Sequence, residues 1–157
     1  MRHLGIDPGT TIIGYGVIEE AAGSFRCLTY GVIRNPGSDQ GADKQATLAA
    51  LSDIIAQFKP DAAAVERLFF LNNKRSAMAV SEMRGVILLG LADHRLPVSE
   101  FTPLQVKQRI CGHGGADKRQ IQRMVRLLLK LRDPVEPDDA ADALAIALCS
   151  AVTPRQY

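Results

Sequence analysis

Residues 61–66 (DAAAVE) constrain the fold more than any other stretch of this chain. A short apolar run that ends in a carboxylate, set between segments of helical period, reads as a buried parallel strand. Parallel neighbours need crossover connections, so such a strand commits the chain to a layered α/β arrangement. Upstream, Leu48, Leu51, Ile55 and Phe58 recur at helical spacing and Pro60 stops the helix. Downstream, a second helix is predicted over about 73–91 and a fifth strand over 97–101.

The first third of the chain reads differently. Leu4-Gly5-Ile6 leads into the turn Asp7-Pro8-Gly9-Thr10, and residues 12–18 run as a second strand. Gly23-Ser24 turns the chain into a third strand over 25–33, which makes an antiparallel meander. Residues 35–41 are polar and read as a loop. Further helices are predicted over 104–110, 117–131 and 137–152, the last with Pro137 in its first turn and Pro154 beyond its end. The expected architecture is a five-stranded mixed sheet flanked by helices, in one domain over residues 1–157.

Composition excludes several classes of protein. Apolar residues make up 46% and charged residues 23%, enough for a core and too apolar for a disordered chain. No stretch approaches the ~18 uninterrupted apolar residues of a membrane span, and the first residues lack the apolar run of a secretory signal. Cys27, Cys111 and Cys149 are widely spaced and in no CxxC pair. They read as reduced thiols, and the expected location is the cytoplasm.

The net charge of +2 does not announce a nucleic-acid partner, but its distribution is informative. Residues 103–133 carry eight Lys/Arg against Asp117 and Asp133 only. Glu136, Asp138, Asp139 and Asp142 follow, with no basic residue before Arg155. A basic face beside an acidic knot can hold a phosphodiester and a divalent metal together. The plainer reading is a solvated helix followed by one with an acidic first turn.

Asp7 and Glu66 each end a predicted strand, where both can project from one rim of the sheet. Asp139 and Asp142 lie three apart at the start of the last helix and share a face. Asp138 and Asp142, four apart, do so equally well, and spacing alone does not choose between the pairs. Converging carboxylates suit magnesium, which takes oxygen ligands and keeps several waters. Two such ions can activate a water and stabilise the leaving oxygen in an in-line attack on phosphate.

Four segments, Leu4-Gly5-Ile6-Asp7-Pro8-Gly9, Ala64-Val65-Glu66-Arg67-Leu68-Phe69, Gln105-Val106-Lys107-Gln108 and the run DAADALAIA over 139–147, together resemble the RuvC family of Holliday-junction resolvases. The resemblance covers nearly the whole chain in the right order. It implies a ribonuclease-H-like fold, a homodimer, and paired, metal-dependent incision of four-way DNA junctions in recombination and repair. Asp7, Glu66, Asp139 and Asp142 match the family's metal-binding catalytic acids, which settles the register in favour of Asp139. Two magnesium ions per site are implied, with manganese as the alternative ion, and a RuvAB-type branch-migration complex as partner. Phe69 matches an aromatic that acts on the junction. Lys107 and Lys118 match basic positions beside the scissile phosphate. Lys74, Arg75, Arg119 and Arg123 are the other candidate DNA contacts, the last two on the basic face of the helix over 117–131. A rival reading takes Asp7-x-Gly9-Thr10-Thr11 with Gly14 and Gly16 as the phosphate loop of actin-like ATPases. Those need a second related domain, for which 157 residues leave no room.

Overall fold

The computed structural model describes residues 1–67 and 74–153. Chain order is β1 (Arg2–Asp7), β2 (Ile12–Ala21), β3 (Ser24–Arg34), α1 (Gln40–Phe58), β4 (Ala62–Glu66), α2 (Lys74–Asp93), β5 (Val98–Phe101), α3 (Pro103–Cys111), α4 (Lys118–Leu128) and α5 (Asp138–Val152). The strands form one sheet in the order β3-β2-β1-β4-β5. The first three are antiparallel neighbours, whereas β4 lies parallel to both β1 and β5. The expected meander and buried parallel strand are both present.

Alternation along the strands sorts the core into two layers. Leu4 and Ile6 of β1, with Ala63 and Val65 of β4, pack with Leu51 and Ile55 of α1 and Met83, Ile87 and Leu91 of α2. Ala64, with Ile18 of β2, packs with α3, α4 and the alanine-rich α5. Asp7 and Glu66 share the parity of Gly5 and Ala64, so the strand period turns both carboxylates toward the α5 side.

Two glycines let α5 lie directly on the sheet. A Cβ on Gly5 would strike the Ala143 carbonyl and come within 2.5 Å of the Ala147 nitrogen. One on Gly14 would strike the Asp139 carbonyl. Ala140, Ala141, Ala143 and Ala147 of α5 are all buried against this surface.

The two rims of the sheet differ. At one, the register between β2 and β3 shifts at Val17/Ile18, and Arg26 and Arg34 lie on the outermost strand. At the other, β5 is four residues long.

Two sequence expectations need correcting. First, α1 begins at Gln40, inside the predicted loop over 35–41. Asp39 caps it by accepting from the amides of Gly41 (2.9 Å) and Ala42 (3.1 Å), a signal that the apolar period from Leu48 onward does not carry. Second, α4 ends at Leu128, short of 131, because Lys130 turns left-handed at φ 53°. Met83, Ile87 and Leu91 of α2 are buried together with residues of the sheet and α1. Met78 (64% exposed) and Leu89 (57%) point outward instead. Among the described residues, no helix is long and apolar enough to cross a membrane.

Candidate active site

The acidic cluster is assembled by strand register and a helix start. Ile6 pairs with Val65 across parallel strands, so the next residues, Asp7 and Glu66, leave the sheet side by side at one rim. Asp7 is also opposite Gly14 on β2, the residue over which the Asp139 backbone rests. Asp142 follows one turn along α5. The turn after Asp7 is fastened from outside: Asn35 donates through its amide nitrogen to the Thr11 carbonyl (2.9 Å) and through Nδ2 to the Thr10 carbonyl (3.2 Å) and Thr47 Oγ1 (2.9 Å).

Asp7 lies close enough to Glu66, Asp142 and Asp139 to feel the charge of each. Burial raises the Asp7 pKa from 3.8 to about 8, with further upward pushes from Glu66, Asp142 and Asp139 and a weaker downward pull from Lys118. Burial and then Asp142 raise Glu66 from 4.5 to about 7. Asp142 is also raised, by burial first, although Lys118 beside it pulls the other way.

Asp138 is held apart from this group. It accepts from Gln122 Nε2 at 2.8 Å and pairs with Lys118 Nζ at 3.1 Å. These two contacts lower its pKa, Lys118 first. The same ammonium lies 3.3 Å from Asp142. Through its two contacts Asp138 ties α5 to α4. Burial pulls the Lys118 pKa down, but its hydrogen bond to Asp138 and the charge of Asp142 outweigh that and raise it overall.

Glu66, Asp142, Lys107 and Lys118 line one cleft of about 210 Å³, with Pro103, Val106, Ile121, Ala145 and Ile146 as its apolar wall. Capping boxes place both lysines. Thr102 and Gln105 exchange bonds of 3.1 and 2.8 Å at the start of α3, as Asp117 and Gln120 do at 2.9 and 2.9 Å at the start of α4. Arg119 and Arg123 are not at this cleft. They line a second groove of about 340 Å³ with Gln122, Arg126, Pro134 and Val135. Phe69 lies outside the described residues. Lys74 and Arg75 open α2, and their side chains are outside the description.

The donor set suits a hard divalent cation. Among the described residues, no three His, Cys, Asp or Glu side chains stand ready around a single point. Asp142 pairs with Lys118 at 3.3 Å. Magnesium needs only one or two carboxylates and fills its shell with water.

Sequence reading missed two residues next to this site, Arg84 and Glu100. Nothing in their spacing distinguishes them from a solvated helix and strand end. Gly5, Gly14 and Gly16 left a clearer signal, since glycines inside strands mark close approach of another backbone.

A mixed sheet with carboxylates gathered at one rim beneath a helix start, beside paired lysines, defines a nuclease of ribonuclease-H-like fold. The family model for crossover junction endodeoxyribonuclease RuvC matches residues 3–150. A RuvC of Moorella thermoacetica is 50% identical over 152 residues, covering 96% of this chain and 91% of that one. A RuvC of Chloroflexus aurantiacus is 49% identical, covering 98% and 94%. The structure of Thermus thermophilus RuvC in complex with Holliday junction substrate superposes with a TM-score of 0.91, at 36% identity and 96% and 93% coverage. This chain belongs to the RuvC family of crossover junction endodeoxyribonucleases.

Proposed function

We propose that the chain resolves four-way DNA junctions by paired, symmetric hydrolysis of phosphodiesters, leaving 5′-phosphate and 3′-hydroxyl ends for recombination and repair. The observation that carries this reading is the convergence of Asp7, Glu66, Asp139 and Asp142 at one rim, with Lys107 and Lys118 on the adjoining cleft. The reading treats residues 1–157 as one nuclease domain.

Asp7, Glu66, Asp139 and Asp142 hold two divalent ions, magnesium first and manganese as alternative. The ions supply an activated water and charge stabilisation on the reacting phosphate. Lys107 presents an ammonium to the same cleft. Lys118, held by Asp138 and Asp142, puts a second one within reach of the developing negative charge. Arg119 and Arg123 bind phosphates farther along a junction arm, and Lys74 and Arg75 bind those near the crossover. Phe69, three residues beyond Glu66, stacks on bases at the branch point. A RuvAB-type motor delivers the junction.

Two cuts in strands of like polarity need two acidic clusters, and a two-fold dimer matches the symmetry of the junction. Met78, Gly85 and Leu89 lie outward on α2 and form the surface for the second copy. Sedimentation at micromolar concentration should give about 34 kDa, twice the 17.0 kDa chain. Leu89→Glu should sediment as a single chain that nicks one strand at a time. Paired cutting by that monomer would remove the dimer from the mechanism.

The deciding experiment incubates immobile and mobile synthetic four-way junctions with the protein, with and without magnesium. Paired symmetric nicks that religate, only with metal, are expected. Equal cutting of linear duplex, or cutting in chelator, overturns the reading.

A further inference from the structure

The peptide that follows Glu66 is gripped from both sides. The N–H of Arg67 donates to the Phe101 carbonyl of β5 at 2.8 Å. The carbonyl of Glu66, part of the same rigid peptide plane, accepts from Arg84 Nε at 3.3 Å. Arg84 comes from the middle of α2, and its side chain is only 19% exposed. Its Nη2 stands 2.7 Å from Glu100 Oε1. The other oxygen of Glu100 accepts from Arg67 Nε at 3.2 Å. One carboxylate thus joins the arginines on either side of the segment that carries Phe69.

We infer that Arg84 is a positioning residue for Glu66: by fixing the 66–67 peptide plane it sets the direction in which the Glu66 carboxylate leaves β4. A peptide plane held at both its carbonyl and its N–H fixes the position of the Glu66 carbonyl carbon, which together with N and Cα sets the direction in which Cβ projects. A guanidinium suits the task because its rigid fork reaches a carbonyl and a carboxylate at once, whereas an ammonium is a single point charge. Docking of α2 does not depend on this contact, since Met83, Ile87 and Leu91 already bury against the sheet. The inference rests on the reading of Glu66 as a metal ligand.

The test compares Arg84→Lys, Arg84→Ala, Glu100→Gln and Glu66→Gln with the parent protein. A further control, Lys44→Met, breaks the 2.6 Å pair of Lys44 with Glu82 that ties α2 to α1. Three quantities are measured: single-turnover incision against magnesium concentration, junction affinity without metal, and the rise in melting temperature that magnesium produces without DNA. Arg84→Lys and Glu100→Gln should raise the magnesium needed for half-maximal incision about 10- to 100-fold, the usual effect of losing a residue that orients a ligand. The magnesium-induced thermal rise should shrink in parallel. Junction affinity should stay within about twofold, because no phosphate contact is lost. Lys44→Met should match the parent in all three. If Arg84→Ala fails to fold, Arg84→Lys and Glu100→Gln carry the comparison.

Parental magnesium dependence in the Arg84 and Glu100 variants, with Glu66→Gln inactive and unresponsive to magnesium, overturns the inference alone. A shifted magnesium dependence in Lys44→Met also overturns it, by assigning the effect to α2 docking. A parental magnesium response in Glu66→Gln overturns the ligand reading and the inference with it.

Discussion

In magnesium, Asp7→Asn should cut four-way junctions about 1,000-fold more slowly than the parent, or not at all, the scale of losing a key stabiliser of transition-state charge. Junction affinity without metal should be unchanged or slightly higher, because one fewer carboxylate repels the phosphates. The same substitution should stabilise the metal-free protein at pH 8, and the sign follows from the pKa shifts. Asp7 is raised from 3.8 to about 8 and Glu66 from 4.5 to about 7. Between the unfolded and folded values the native state holds protons that the unfolded chain has released. Stability from these groups is therefore complete below about pH 4 and is lost as pH rises toward 8. An amide at position 7 carries no such penalty, so the variant should exceed the parent at pH 8 by about 1–3 kcal/mol, the range for an uncompensated buried polar group. Magnesium should raise the parent's melting temperature more at pH 8 than at pH 6, and that of Asp7→Asn far less. Near-normal incision by Asp7→Asn would remove this residue from the chemistry.

Gly5→Ala should be strongly damaging for a single added methyl. The added Cβ meets the main chain of Ala143 and Ala147, and main chain within a helix cannot rotate aside as a side chain can. Either α5 lifts from the sheet or β1 bends, and both separate Asp7 from Asp139. The cost should be about 3–5 kcal/mol, a fall in melting temperature of roughly 10 °C for a domain of this size. Incision should fall with it, even in the fraction that remains folded. Calorimetry showing a melting point within two or three degrees of the parent would mean that α5 tolerates lifting.

The parts of the molecule that sequence alone revealed are those governed by local chemistry. The run DAAAVE announced a parallel strand because it is apolar throughout and too short for a helix. The turn Asp7-Pro8-Gly9 announced the end of β1 for equally local reasons. The acids themselves were visible as strand ends and a helix start, whereas the choice of Asp139 over Asp138 needed the family pattern. In the structure Asp138 is engaged by Lys118 and Gln122. What stayed hidden depends on distant partners. Arg84 meets Glu100 and the Glu66 carbonyl only once α2 is laid across the sheet, and no spacing within α2 foretells that. The early start of α1 was hidden because residues 40–47 lack a regular apolar stripe, and only Asp39 marks the beginning.

The unequal rims of the sheet bear on how copies of this protein meet. Open strand edges offer free amides and carbonyls to any neighbouring chain, and long flat ones invite uncontrolled polymerisation. Here the outer strand β3 is kinked by the register shift at Val17/Ile18 and carries Arg26 and Arg34. The opposite edge, β5, offers only four residues. Neither rim supports a continuous ladder between molecules. Backbone pairing, which would string molecules into filaments, is thereby disfavoured, and the surface left for contact between copies is one of side chains.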